Sequence, residues 1–186
     1  MRKVIMFNRV SIDGFYKGLN GEIDWFIHDP EVDKAAHEMM NPDTIFFGRV
    51  TYRMFEGYWP QVANNPSAPA GARAMANELN EMTKIVFSST MERASWENSR
   101  LVNGDIAKFV QEIKQEDGAD IVIFGSGSIV QQLSHEELID EYLFVVTPVI
   151  LGSGKSLFHD ASGSQTLKLK ETRSFGSGNV LLHYEK

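Results

Sequence analysis

Three short segments of this chain carry the residue types that grip an anion. Gly48-Arg49-Val50-Thr51, Ser88-Ser89 and Gly125-Ser126-Gly127-Ser128 each follow a short apolar run. Each offers backbone N–H groups or hydroxyls, and Arg49 adds a permanent planar cation that can hold a phosphate through two donors. The segments at Gly48 and Gly125 precede expected helices, whose first-turn N–H groups and positive dipole ends favour negative charge. Taken singly, a glycine after a strand is ordinary turn chemistry. Side by side, three such loops form a groove suited to an extended anionic ligand such as a dinucleotide.

A second constellation lies earlier. Ser11-Ile12-Asp13-Gly14 leaves the first apolar run, and Asp24-Trp25-Phe26 follows soon after. A carboxylate beside an apolar aromatic wall has its pKa raised and can donate a proton near neutrality, which makes Asp13 the candidate acid. The competing reading is that Asp13-Gly14 is a turn pair and Trp25 is core. Several look-alike motifs fail. Gly125-Ser126-Gly127 starts a Rossmann fingerprint, but its third glycine position is Val130. Gly154-Lys155-Ser156 resembles the end of a P-loop, but Val149 stands at its first glycine and no good helix follows. No serine sits in a Gly-x-Ser-x-Gly elbow. His28, His37, His135, His159 and His183 lack the spacing of a zinc-binding helix, so no metal site is indicated.

The elements that must position these residues read as alternating strands and helices. Apolar runs at Val4–Val10, Thr44–Phe47, Lys84–Phe87, Ile121–Phe124 and Tyr142–Leu151 predict buried strands. Between them, Val32, Ala35, Ala36 and Met39 keep helical spacing behind Asp29-Pro30, and Ile106, Phe109, Val110 and Ile113 do so behind Asp105. Short helices are also expected at Tyr52–Tyr58, 71–82 and from Ile129. Residues 11–21 read as one long loop and 61–70 as a surface excursion. Pro148 implies a bulge or an edge within the last run. Alternation from Thr166 to Glu185 around Gly176-Ser177-Gly178 predicts a terminal antiparallel hairpin. The implied fold is α/β, a mostly parallel sheet with helices on both faces.

Composition narrows the function classes. The 186 residues carry 18 Lys+Arg against 25 Asp+Glu, a net charge of −7 that speaks against a nucleic-acid binder. Zero Cys excludes a thiol nucleophile, a disulfide framework and a Cys-ligated zinc. No apolar run is long enough to span a bilayer, and no signal peptide is legible, so one cytoplasmic domain over residues 1–186 is expected.

Taken in order, these segments resemble the dihydrofolate reductase-like superfamily, and most closely the C-terminal reductase domain of the bifunctional riboflavin-synthesis enzyme. The residues carrying the resemblance are Ser11–Gly14, Phe47–Tyr52, Ile85–Ser89, Ile123–Val130 and Thr147–Gly154. The resemblance implies a three-layer fold and an NADPH-dependent reductase acting on a small heterocyclic or sugar-derived molecule. It implies that Gly48, Arg49 and Thr51 hold cofactor phosphates. Ser88 and Ser89 would lie near the adenosine end, and Gly125, Ser126, Gly127, Ser128 and Ile129 would wrap the pyrophosphate. Val10 and Ser11 would face the nicotinamide, Asp13 and Trp25 would border the substrate pocket, and Tyr52 and Phe55 would line its helix side. The chain departs from true folate enzymes, because none of Asp29, Glu31 and Asp33 stands in their Leu-Pro-x-Asp context. The alternatives are a non-catalytic nucleotide- or flavin-binding protein of the same fold, or a dihydrofolate reductase. A homodimer is also compatible with the resemblance, through Tyr142-Phe144-Val146 or the hairpin.

Overall fold

The computed structural model describes residues 1–159 and 163–186. Along the chain run β1 (Val4–Ser11), β2 (Phe15–Lys17), α1 (Pro30–Glu38), β3 (Pro42–Gly48), α2 (Arg49–Ala63) and α3 (Ala70–Glu81). They are followed by β4 (Thr83–Phe87), β5 (Ser99–Val102), α4 (Ile106–Ile113), β6 (Asp120–Phe124) and α5 (Gly127–His135). The chain ends with β7 (Glu141–Thr147), β8 (Lys155–Ser156), β9 (Lys168–Ser174) and β10 (Val180–Glu185). The main sheet has the order β5-β4-β3-β6-β1-β7-β10-β9. Its first six strands are parallel, and β10 and β9 complete it as antiparallel neighbours.

The near-continuous apolar runs of β1, β3, β4 and β6 follow from burial on both faces. On one face, Val4, Met6, Phe46, Ile121 and Ile123 pack against Val110 and Ile113 of α4 and Ile129, Val130 and Leu133 of α5. On the other, Ile45, Phe47, Val86 and Val122 meet Tyr52 of α2 and Leu79 of α3. Ile5, Leu143, Val145 and Leu181 meet Val32, Ala35 and Ala36 of α1 on that same side. Each such side chain contributes about 1.5–3 kcal/mol of apolar burial, so the two stripes of helix fix which way every strand faces.

Several sequence boundaries move. The expected strand Tyr142–Leu151 stops at Thr147, since Pro148 has no N–H to continue the ladder. The expected excursion at 61–70 shrinks, because α2 runs through Pro60 to Ala63 and α3 begins at Ala70. The loop at 11–21 contains β2, which pairs with β8 in a separate two-stranded sheet. Strand β5 is an unforeseen edge strand, too short and too polar to register as an apolar run.

Candidate functional site

The carboxyl ends of β4, β3, β6, β1 and β7 lie in a row along one edge of the sheet. At the middle of that row, α2 leaves β3 for one face and α5 leaves β6 for the other. Neighbouring strands whose connections depart in opposite directions open a crevice, the place where open α/β sheets bind ligands.

Two hydrogen bonds brace the two helix starts together. Gly48 N–H donates to Ser126 Oγ at 3.0 Å, and Ser126 N–H donates to Thr51 Oγ1 at 3.2 Å. Gly125 (φ +57°) and Ser126 (φ +45°) are consecutive left-handed residues, which turn the backbone sharply out of β6. Gly127 has a steric role as well, since a Cβ there would stand 2.3 Å from Tyr16 Oη. Thus Tyr16 of β2 rests against the first turn of α5.

The electrostatics of these two helix starts differ from those of α1 and α4, and α3, behind Pro69, is likewise uncapped and free of first-turn acids. Asp29 caps α1 and Asp105 caps α4 through their carboxylates. Neither α2 nor α5 has a side-chain cap or an acidic residue in its first turn. Their first-turn N–H groups and dipole ends therefore remain available to an anion. Arg49, at the first position of α2, is exposed and has no ion-pair or hydrogen-bond partner among the described residues. The arrangement fits an extended anionic ligand spanning the crevice.

The flanks place the remaining expected residues. Ser88 follows β4, with its N–H bonded to Val102 O and its hydroxyl accepting from Thr90 and Met91 N–H; Ser89 is exposed beside it. A surface depression of about 380 Å³ along β5 and α4 is lined by Arg100, Val102, Asn103, Lys108 and Phe109 among others. The guanidinium of Arg100 lies 5.1 Å from the Phe109 ring centroid. Sequence reasoning missed this depression, which Asp105 and Glu112 also line, because β5 itself was not legible. A larger cavity of about 580 Å³ lies along α5 and β7, from Ser128 in the first turn of α5 past residues such as Gln131, His135, Tyr142 and Phe158. At the centre, Val10 and Ser11 end β1, paired with Val146 and Thr147. Ser11 is buried, and its Oγ accepts from Phe15 N–H.

Two expectations require correction. Asp13 is exposed, and its carboxylate accepts the N–H groups of Leu151 (3.1 Å) and Gly152 (2.7 Å). The Ser11 hydroxyl, with these two amides adding to it, outweighs the effect of desolvation and holds its pKa below the usual carboxylate range. Asp13 is an ionised clamp between the loops after β1 and β7, not an acid with a raised pKa. Tyr52 is fully buried against Phe47 and Trp96, and its hydroxyl accepts from Trp96 N–H at 2.9 Å. It lines no pocket, because the first inward position of α2 faces the sheet. Phe55, one turn later, is half-buried and stacks on Phe124 at the end of β6, beside the crevice. Trp25 is half-buried and packs edge-on against Phe26 at 4.5 Å. Phe26 in turn lies 5.9 Å from the guanidinium of Arg9.

The model of the RibD C-terminal domain matches residues 2–181. Uncharacterized protein YyaP of Bacillus subtilis (strain 168) is 33% identical over 184 residues, covering 98% of this chain and 94% of that protein. A diaminohydroxyphosphoribosylaminopyrimidine deaminase/5-amino-6-(5-phosphoribosylamino)uracil reductase from Thermotoga maritima superposes with a TM-score of 0.67 at 15% identity, over 99% of this chain and 56% of that one. Dihydrofolate reductase from Enterococcus faecalis, complexed with NADP(H), superposes with a TM-score of 0.63 at 16% identity, over 98% and 95%. The two superpositions establish a dihydrofolate reductase-like fold, and the matched model establishes that this chain belongs to the RibD C-terminal domain family.

Proposed function

We propose that this protein is an NADPH-dependent reductase that transfers hydride to a small heterocyclic or sugar-derived substrate carrying a C=O or C=N group. The observation that carries the reading is the pair of uncapped helix starts, braced together at the switch point, with Arg49 unpaired at the first of them. The NADP(H) complex of the structurally similar Enterococcus faecalis enzyme supports the choice of coenzyme.

In this reading the first turns of α2 and α5 hold the phosphates through backbone N–H groups, with Gly48, Thr51 and Gly125–Ile129 shaping the turn. Arg49 grips a further phosphate near Ser88 and Ser89. When bound, the coenzyme supplies the hydride, and the protein supplies orientation and electrostatics. Val10 and Ser11 at the end of β1 border the reacting centre, with Trp25 and Phe55 on its flanks. Asp13 and Asp29 are both held below the usual carboxylate range, each first by a neighbouring serine hydroxyl, Ser11 and Ser177 respectively. Both are therefore ionised at neutral pH and poorly suited to donate a proton. Asp13 keeps the loop over the site in place.

The test is a calorimetric and thermal titration with NADPH, followed by its oxidation in the presence of pterins, flavin precursors and small carbonyls. A ligand that binds only the folded chain raises the melting temperature by mass action. Binding together with turnover on a member of the panel is expected. No shift at millimolar NADPH overturns the reading, and binding without turnover across the panel favours a non-catalytic binder of the same fold.

A further inference from the structure

The cavity of about 580 Å³ along α5 and β7 has the size of a small-molecule site. It lies on the side of the sheet that α4 and α5 cover. Side chains two residues apart on a strand share a face. Tyr142 and Phe144 of β7 turn to that side and join the cluster of Ile129, Val130 and Leu133 of α5. Helix α5 buries those three residues and presents Ser128, Gln131, Gln132 and His135 to the cavity. Their i, i+3, i+4, i+7 spacing makes one polar stripe along the helix. Phe158, Gln165 and Leu167, beyond β7 in the chain, contribute further lining.

Three aromatic rings meet in this lining. Tyr142 and Phe144 stand nearly parallel, 13° apart, with centroids separated by 6.5 Å. Phe158 lies 6.3 Å from each of them. Hydrogen bonds hold the surround in place. The Tyr142 hydroxyl donates to Gln165 Oε1 at 3.3 Å, and Gln165 Nε2 donates to Ser134 O at 3.0 Å. Gln131 Nε2 donates to the carbonyl oxygen of His159. Tyr142 is buried, whereas Phe144 and Phe158 are half-buried. Part of their ring surface therefore stays open to a further ring, which can pack offset or edge-to-face against them.

Charge narrows the occupant. Among the described residues, no Lys or Arg lines the cavity, so an anion finds no counter-charge there. Its carboxylate, Glu137, is already paired with Lys186 Nζ at 2.6 Å, so a cation gains little. The amide of Gln132 is exposed and has no hydrogen-bond partner among the described residues. A glutamine amide offers both a donor and an acceptor, which suits an uncharged polar group.

We propose that this cavity is a binding site for an uncharged aromatic molecule of one or two fused rings bearing a hydroxyl or amide group. Its rings pack against Phe144 and Phe158, and its polar group meets the amide of Gln132. The ligand is separate from the coenzyme and the hydride acceptor of the crevice, and the site stands independently of the reductase reading.

The test compares three probes built on one skeleton: 2-naphthol, uncharged and aromatic; 2-naphthoate, an anion; and 2-decalol, the saturated counterpart. Each is titrated calorimetrically into the full chain, with and without saturating NADPH, while NMR follows the side-chain amides of Gln131, Gln132 and Gln165. The expected result is saturation by 2-naphthol about tenfold tighter than by either other probe, with the three amide signals shifted. Phe158→Leu removes a ring and keeps apolar bulk, and it is expected to weaken 2-naphthol several-fold. Gln132→Trp, at an exposed helical position, fills part of the cavity and is expected to weaken it about tenfold or more. Its melting temperature is expected to stay near that of the parent. Equal binding of the three probes, or a folded Gln132→Trp chain that binds 2-naphthol as the parent does, overturns the proposal. Displacement of 2-naphthol by NADPH with the three amides unmoved places the probe in the crevice and overturns it too. Binding that weakens as the chain dimerises, followed by sedimentation, assigns the cavity to a second copy and equally overturns it. A chain that selects 2-naphthol through these amides but ignores NADPH keeps this site and loses the reductase reading.

Discussion

Arg49 and Asp13 show how differently two charged residues behave near one crevice. Arg49 stands free at an uncapped helix start, so its charge is available to a ligand. Its replacement by Ala is expected to weaken NADPH about tenfold, roughly 1.4 kcal/mol, and NADH less, because only NADPH carries the additional phosphate. Isothermal titration with both coenzymes checks this, and equal losses would place Arg49 away from that phosphate. Asp13 has its charge consumed by three donors. Asp13→Asn is therefore expected to slow turnover by loosening the loop while leaving the pH–rate profile unmoved. Loss of one limb of that profile in the variant would restore Asp13 as the acid. The Asp-Gly pair was legible as a turn, but nothing in its spacing shows that Leu151 and Gly152, far along the chain, would supply the amides.

At the scale of elements, the site depends on two helices that share a brace rather than on either alone. The Thr51 hydroxyl holds the N–H of Ser126 in its left-handed turn, and Ser126 in turn holds Gly48. Thr51→Val keeps the shape and removes one link. A hydrogen bond of this kind is worth about 1 kcal/mol, so the melting temperature should fall by a few degrees and NADPH affinity by several-fold, read in one thermal titration series. Unchanged affinity would show that the brace does not shape the phosphate cradle. Both helix starts could be located from sequence, because glycine and serine at a strand-to-helix turn are local signals. The capping contrast with α1 and α4 was half visible, in Asp29 and Asp105. Strand β5 was not visible, since a four-residue polar edge strand depends on its neighbour β4 for its identity.

The whole molecule separates its chemistry from its stability. The crevice occupies the carboxyl edge of the sheet, whereas the opposite edge carries a buried ion cluster centred on Glu141. Its carboxylate meets Lys3 Nζ at 2.6 Å, Lys170 Nζ at 2.9 Å and His183 Nε2 at 2.6 Å, tying β1, β7, β9 and β10 together. Burial alone would raise the pKa of Glu141, but hydrogen bonds from Lys3, Lys170 and His183 overcome this and bring it down to about 2. A carboxyl group with a folded pKa below its unfolded value stabilises the fold above the unfolded pKa, about 4.5, and loses that contribution as pH falls through about 2. Glu141→Gln is expected to cost about 3 kcal/mol at neutral pH and to flatten the acid limb of stability between those values, measured by urea unfolding across pH. A steep acid limb retained in the variant would assign it to other carboxylates. No helix among the described residues is long and apolar enough to cross a membrane.

The sequence by itself determined the alternation of strands and helices, the parallel sheet with its terminal hairpin, and the three loops at strand ends. These rest on local periodicity and turn chemistry, which act over a few residues. Only the tertiary structure decided that Tyr52 points into the core, that Asp13 is a clamp, and that Phe158 meets Tyr142 and Phe144 beside α5. Those outcomes depend on strand order and register, which bring together residues more than a hundred positions apart, and no short window of sequence contains that information.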